Sequence, residues 1–320
     1  MSAPFGPEIL PNFARHETFH PRYGWLKKGF AAAAADPHIF HRADATTRLG
    51  VGKNMVRAIR YWCSAYKVLV ESPNPDRPRL LDSHPTVFGS NLLGEHGWDP
   101  FLEEPGSLWL LHWMLLRPPC KAPAWWAIFN GTRLQDFTDA TLSVELRRFC
   151  DARPEWGEVA ENSLLKDARC LLRMYGSVTQ GRDLLEDSVD SPFVELDLVR
   201  PVPGARRHYT VNVGPKPDLA DAVVAYACID YAVFSGMTAK VVGLAALAQG
   251  AGSPGRVFAL TESAIADALR RHSETKNPLL QLTHAAGLPQ AMLPDDLEGA
   301  RDELLHLYYR PGRDRSLVAA

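Results

Sequence analysis

The run HETFH (His16, Glu17, Thr18, Phe19, His20) has the spacing of the zinc-hydrolase motif H-E-x-x-H, in which two imidazoles one helical turn apart bind the metal and Glu serves as base. That chemistry needs an unbroken helix. Pro21 disfavours helical backbone at His20, and Pro11 lies close before the motif, so the segment does not read as a zinc site. What remains is an imidazole and a carboxylate followed closely by three cations, Arg22, Lys27 and Lys28. A base, an acid and groups able to hold a phosphate are therefore near one another in sequence. The competing reading is structural, with His16 bonded to backbone and Glu17 paired with one of the cations. Other carboxylates lie at Asp99, Glu103 and Glu104 and in the acidic run from Asp183 to Asp197, where turns, caps or a docking face are the commoner roles.

A second stretch, LGVGKNMVRAIRYW (Leu49 to Trp62), admits two chemistries. A phosphate-cradling loop of the form G-x-x-x-x-G-K-[ST] needs Gly and a hydroxyl where this chain has Thr47 and Asn54. The loop would also follow a buried strand, whereas HRADATTR before it is polar and starts like a helix with Asp44 as cap. The helical reading fits better. At 100° per residue, Val56, Ile59, Trp62, Cys63, Tyr66, Leu69 and Val70 fall on one side of a helix starting near Lys53. Lys53, Arg57, Arg60, Ser64 and Lys67 fall on the other. A buried stripe opposite a basic one is what a recognition helix needs to rest on its domain and present cations to phosphates and groove edges. Gly50 and Gly52 supply the turn before it, and the anchors Val56 and Ile59 follow Gly50 at helix-turn-helix spacing. The bland alternative is a solvated basic face.

The whole chain sets bounds on these readings. Its 320 residues exceed one ordinary core, and 46% hydrophobic with 22% charged residues describes a folded protein of two or three domains. Net charge is −2, so nucleic acid is not bound by bulk charge; the polarity is local. Five widely spaced Cys residues with no C-x-x-C suggest neither a disulfide framework nor a zinc knuckle and fit a reducing cytoplasm. No export signal is expected from MSAPFGPEILPNF, and the apolar LWLLHWMLL is far short of the ~20 residues of a membrane span.

Periodicity then places the elements. LQDFTDATLSVELRRFCDARPEWG predicts a helix capped by Thr138 or Asp139, and AENSLLKDARCLLRMYGS a second with Lys166, Arg169 and Arg173 on its outer side. FVELDLVRPVPGARRHYTVNVG predicts two strands around a turn carrying Arg206, Arg207 and His208. Helix, helix and basic hairpin describe a winged helix. Further on, LADAVVAYACIDYAVFSG predicts a buried helix, LTESAIADALRRHSE a helix capped by Thr261, and LLQLTHAAGLPQAML a short hairpin before the closing helix DDLEGARDELLHLYYR. The expected fold is α+β, mainly helical with small hairpins, in tandem helix-turn-helix and winged-helix modules. The expected domains are a helix-turn-helix unit over 1–134, a winged helix over 135–214 and a helical or winged unit over 215–320.

The motifs FARHETFHPRYGWLKKG, LGVGKNMVRAIRYW, GWDPFLEEPGSLWLLHW, GPKPDLADAVVAYA and GSPGRVFAL, in this order, closely resemble domain-of-unknown-function family 4007. The resemblance runs from Phe13 to Tyr309. That family includes the nicking component of the Ssp systems, which place phosphorothioates in bacterial DNA for phage defence. The resemblance implies a DNA nicking endonuclease working with a cysteine desulfurase, an ATPase and an ATP pyrophosphatase, but carries over no catalytic set. For nicking, His16 and Glu17 are the candidates, acting with a divalent Mg or Mn ion or with nearby Arg and Lys. Double-stranded DNA would meet Arg22, Lys28, Lys53, Asn54, Arg57, Arg60 and Lys67, and then Lys166, Arg169, Arg173, Arg206 and Arg207. The alternative is a non-enzymatic DNA reader, either a regulator or an adaptor of the modification enzymes; a third reading makes the modules protein-binding.

Overall fold

The computed structural model describes residues 8–131, 136–176, 191–285 and 287–310. Most of the expected acidic run, from Asp183 to Asp190, lies outside them. The protein is α+β, with helices carrying small antiparallel strand pairs. Its first third contains α1 (Trp25–Ala35), a 3-10 turn (Ile39–His41), α2 (Ala45–Leu49), α3 (Lys53–Ala65) and a hairpin of β1 (Leu69–Pro73) and β2 (Leu81–Pro85). Gly50 closes α2 at φ 61, a left-handed conformation that glycine adopts without a side-chain penalty. The chain then enters α3 at Lys53, the residue the sequence pattern selects.

One expectation about α3 is corrected. The periodicity carries the apolar stripe through Val70 and the basic stripe through Lys67, but the helix ends at Ala65 and Lys67 takes φ 58 as the chain reverses into β1. Val70 is consequently exposed. Lys67 turns inward, where its Nζ donates to the Met114 carbonyl at 2.5 Å. Burial lowers its pKa to about 8.

The chain continues through α4 (Val87–Leu93), α5 (Pro105–Leu116), α6 (Pro123–Asn130), α7 (Asp139–Asp151) and α8 (Glu161–Tyr175) to a short pair, β3 (Val199–Pro201) and β4 (Tyr209–Val211). Thr138 caps α7 by accepting the Thr141 N–H, as its position before the helix predicts. The last third has α9 (Asp221–Phe234), β5 (Val241–Gly243), α10 (Leu244–Gln249), α11 (Pro254–Val257), α12 (Glu262–Ser273), β6 (Gln281–Ala285), β7 (Leu288–Met292) and α13 (Leu297–Tyr308). Thr261 caps α12, and β5, β7 and β6 lie in that order in one antiparallel sheet. A sequence of helices followed by a hairpin thus recurs three times along the chain.

One cluster of buried side chains runs from Trp25 to Tyr308 and crosses both expected domain boundaries. No helix among the described residues is long and apolar enough to cross a membrane. The five cysteines are buried and free. At the centre, the α5 residue His112 connects all three thirds: its Nε2–H donates to the Val257 carbonyl at 2.8 Å, so its Nδ1 accepts from the Tyr175 hydroxyl at 2.7 Å. Burial holds it neutral, pushing its pKa down to about 4.

Because the unfolded imidazole titrates near ~6.5, the unfolded chain binds the extra proton first as pH falls. This contribution to stability is complete above that pH and is lost toward about pH 4, with a slope of at most ~1.4 kcal/mol per pH unit. Urea unfolding between pH 7 and 4 should show this loss in the wild type. A folded His112→Gln variant should show less of it.

Candidate nucleic-acid interface

Helix α3 buries Val56, Ile59, Trp62 and Cys63 and turns Lys53, Asn54 and Arg57 outward. Lys53 and Asn54 have no side-chain partner among the described residues. No acidic residue occupies the first turn, so Lys53 sits at the positive end of the helix dipole. That placement costs a few tenths of a kcal/mol and is relieved by an anion. Arg57 pairs with Glu17 across 3.3 Å at the surface, an exchangeable contact of about 0–1 kcal/mol.

The other cations expected on this unit are held by the protein. Arg60 binds Glu71 at 2.8 Å and the Leu81 carbonyl at 3.3 Å, fastening the β1–β2 hairpin to α3. Lys28 donates to the Leu49 carbonyl at 3.0 Å, closing the end of α2. Arg22 lies over the Trp25 ring at 5.8 Å. Lys67 is internal, bonded to the end of α5.

The segment before α1 crosses the base of α3. Glu17 and Thr18 have φ of 50 and 70, so HETFH is a turn and the two His residues do not share a helix face. His16 is 1% exposed and lies within a box of Tyr61, Trp62 and Trp125, its ring stacked 5.9 Å from that of Trp62. Its Nε2 meets Asp167 of α8 at 2.7 Å, and the Thr18 N–H points at its Nδ1 at 3.1 Å. Burial opposes protonation of this ring, while Cys170 and Asp167 push the other way, toward a pKa of about 10. The Thr18 N–H settles the balance for the neutral ring, since a protonated Nδ1 would set two N–H groups face to face. Both ring nitrogens are therefore engaged. Burial also raises the pKa of Asp167, whose Oδ1 additionally accepts the Ala14 N–H at 2.8 Å and whose Oδ2 is buried without a partner among the described residues.

Glu17 faces the other way. With Arg15, Glu158 and Ser163 it lines an open cleft of about 370 Å³ beside Arg57. Arg15, exposed and without a partner among the described residues, is a cation that the sequence pattern does not single out. Its only signal was its place in RHE, directly before His16 and Glu17. The rival carboxylates serve a turn: Asp99 accepts the N–H groups of Glu103 and Glu104, and Glu104 accepts the Tyr308 hydroxyl.

The second expected face is divided. Lys166 is exposed on α8, Arg169 pairs with Asp139 at 2.8 Å, and Arg173 donates to the Thr18 carbonyl and so braces the N-terminal segment. Arg206 and Arg207 are exposed between β3 and β4, and His208 meets Asp136 at 2.6 Å. On α12, by contrast, Arg270 pairs with Glu274 and Arg271 with Asp221. That helix presents no uncompensated basic stripe.

The chain belongs to the family described as a protein of unknown function, DUF4007, which matches residues 13–309. It is similar to a structure described as a magnesium ion-bound SspB crystal structure, at 37% identity and a TM-score of 0.88, over 98% of this chain and 92% of that one. A second structure, described as an SspB crystal structure, is similar at 38% identity and a TM-score of 0.86, over 98% of this chain and 94% of that one. No curated protein matches the chain.

Leaving a buried acceptor without its hydrogen-bond donor costs ~1–3 kcal/mol. His16→Ala should therefore lower the unfolding free energy by at least about that amount, whatever its effect on activity. A double-mutant cycle with Asp167→Ala should give a favourable coupling. Equal stability of His16→Ala and wild type would remove the structural role.

Proposed function

We propose that this protein binds duplex DNA through the outward face of α3 and acts in an Ssp-type phosphorothioation system as the component that nicks one strand. The similarity to SspB structures over nearly the whole chain carries the pathway assignment. Lys53, Asn54 and Arg57, placed outward opposite a buried stripe, support the DNA reading. The helix–helix–hairpin successions are read as winged-helix modules, with Lys166, Arg169, Arg206 and Arg207 as a second phosphate-facing group. The partners under this reading are the cysteine desulfurase, ATPase and ATP pyrophosphatase of the same pathway.

Of the two catalytic candidates, Glu17 is the one carried forward, because it reaches a cleft beside Arg57 and Arg15. His16 supports the nick by fixing that turn. The described residues contain no group of three or more His, Cys, Asp and Glu that could hold a metal, so no set of metal ligands is assigned. A second reading, a DNA-binding adaptor without its own chemistry, is favoured by the engagement of both His16 nitrogens.

Supercoiled plasmid incubated with pure protein, with and without Mg²⁺ or Mn²⁺, separates the two readings. Open-circular product that disappears with a folded Glu17→Gln variant is the expected result. Binding without any nicking would leave the adaptor. In a salt titration on duplex DNA, Lys53→Ala and Arg57→Ala should each reduce the log–log slope by about 0.9. Unchanged affinity and slope in the double variant would remove α3 as the reading helix.

A further inference from the structure

The hairpin that follows α3 ends in a seven-residue tip, NPDRPRL (Asn74 to Leu80), closed at its base by the Asn74 N–H donating to the Leu80 carbonyl. Its position relative to α3 follows from the bonds that tie the two together. The Val68 N–H donates to the Cys63 carbonyl at the end of the helix, and the chain then turns back. Two residues into β1, Glu71 meets both Arg60 and Ser64 of α3. Leu81, across from Pro73 at the start of the tip, receives Arg60 through its carbonyl. The strand pair is therefore tied to α3 at Ser64 and Arg60, with Arg60 reaching the base of the tip.

The tip is held in shape. The Asn74 side chain is buried; its Oδ1 accepts the N–H groups of Asp76 and Arg77, and its Nδ2 donates to Asp82. His38 meets Asp82 from the other side, and His41 donates to the Leu81 carbonyl. Pro75 and Pro78 fix two backbone angles within the tip. Out of this frame stand Arg77 and Arg79, both exposed, whose guanidinium groups have no partner among the described residues. Asp76 is the one acidic residue beside them, so the tip is net positive. A fixed loop with two such guanidinium groups loses little conformational entropy on meeting a phosphate pair, and Arg is suited to bidentate phosphate binding.

We propose that Arg77 and Arg79 form a further duplex-DNA contact, gripping the phosphate backbone beside the groove that α3 enters. Arg60 then acts as the brace that sets the distance between the two contacts. This inference rests on α3 being the DNA-reading helix, and the test separates the two.

Binding of a fluorescent duplex is measured across a salt series for wild type, Arg77→Ala/Arg79→Ala, Arg77→Lys/Arg79→Lys and Lys53→Ala/Arg57→Ala. The alanine pair at the tip should keep the wild-type melting temperature, since neither guanidinium has a partner among the described residues. It should weaken binding and lower the log–log salt slope by about 0.9 for each phosphate that is no longer neutralised. The lysine pair should restore most of that slope. If wild type binds, the α3 variant is weakened and the alanine pair at the tip matches wild type in affinity and slope, the tip proposal is overturned while the α3 reading stands. If wild type does not bind duplex DNA, both fall.

Discussion

The neutral His16 ring donating to Asp167 inside a box of aromatic side chains is the contact on which the arrangement of the first and second thirds depends. It joins a turn before α1 to the middle of α8, and neighbouring bonds repeat the connection. The Leu10 N–H donates to the Cys120 carbonyl, Trp62 Nε1 to the Phe19 carbonyl, Arg173 to the Thr18 carbonyl, and the Tyr23 hydroxyl to Glu195. The segment from residue 8 to residue 23 is thus a strap laid across α3, α8 and the approach to α6. Inside an apolar box the His16 Nε2–H and the Asp167 Oδ1 satisfy one another, because a lone buried polar atom bears its full desolvation cost. That requirement fixes where the strap lies. It also fixes that Glu17, one residue on, faces solvent and Arg57.

The cations of the protein divide by the same logic into those that hold structure and those left for a partner. Arg60, Lys67, Lys28 and Arg173 each satisfy a carbonyl or carboxylate that the fold would otherwise leave open. Lys53, Arg15, Arg77 and Arg79 satisfy none among the described residues. These four lie on α3, on the strap that carries the Arg57 partner Glu17 and on the hairpin braced by Arg60, while Lys166 on α8 and Lys276 after α12 are likewise exposed without a partner among the described residues, so exposed positive charge is available locally although the chain's net charge is −2. The last third has a similar order of helices and strands, yet the arginines of α12 are paired with acidic neighbours. Similar topology therefore does not give the two units the same surface.

The sequence alone determined what is written at short range. Helical period places the buried stripe of α3 and its start at Lys53, hydroxyl caps place α7 and α12, and Gly50 marks the left-handed turn, because each signal lies within a few residues of the element it controls. The family, too, is legible, since ordered motifs along Phe13 to Tyr309 match it. Only the tertiary structure decided which charged and polar residues are free. Asp167 is 151 residues from His16, and nothing in either local pattern names the other. Lys67 falls on the basic stripe only by a period that stops at Ala65, and Arg60 reads as exposed because Glu71 belongs to a strand that folds back only after the helix has ended. Periodicity sets which face of an element is polar; the partner that neutralises a given charge comes from another element, and that is settled when the chain packs.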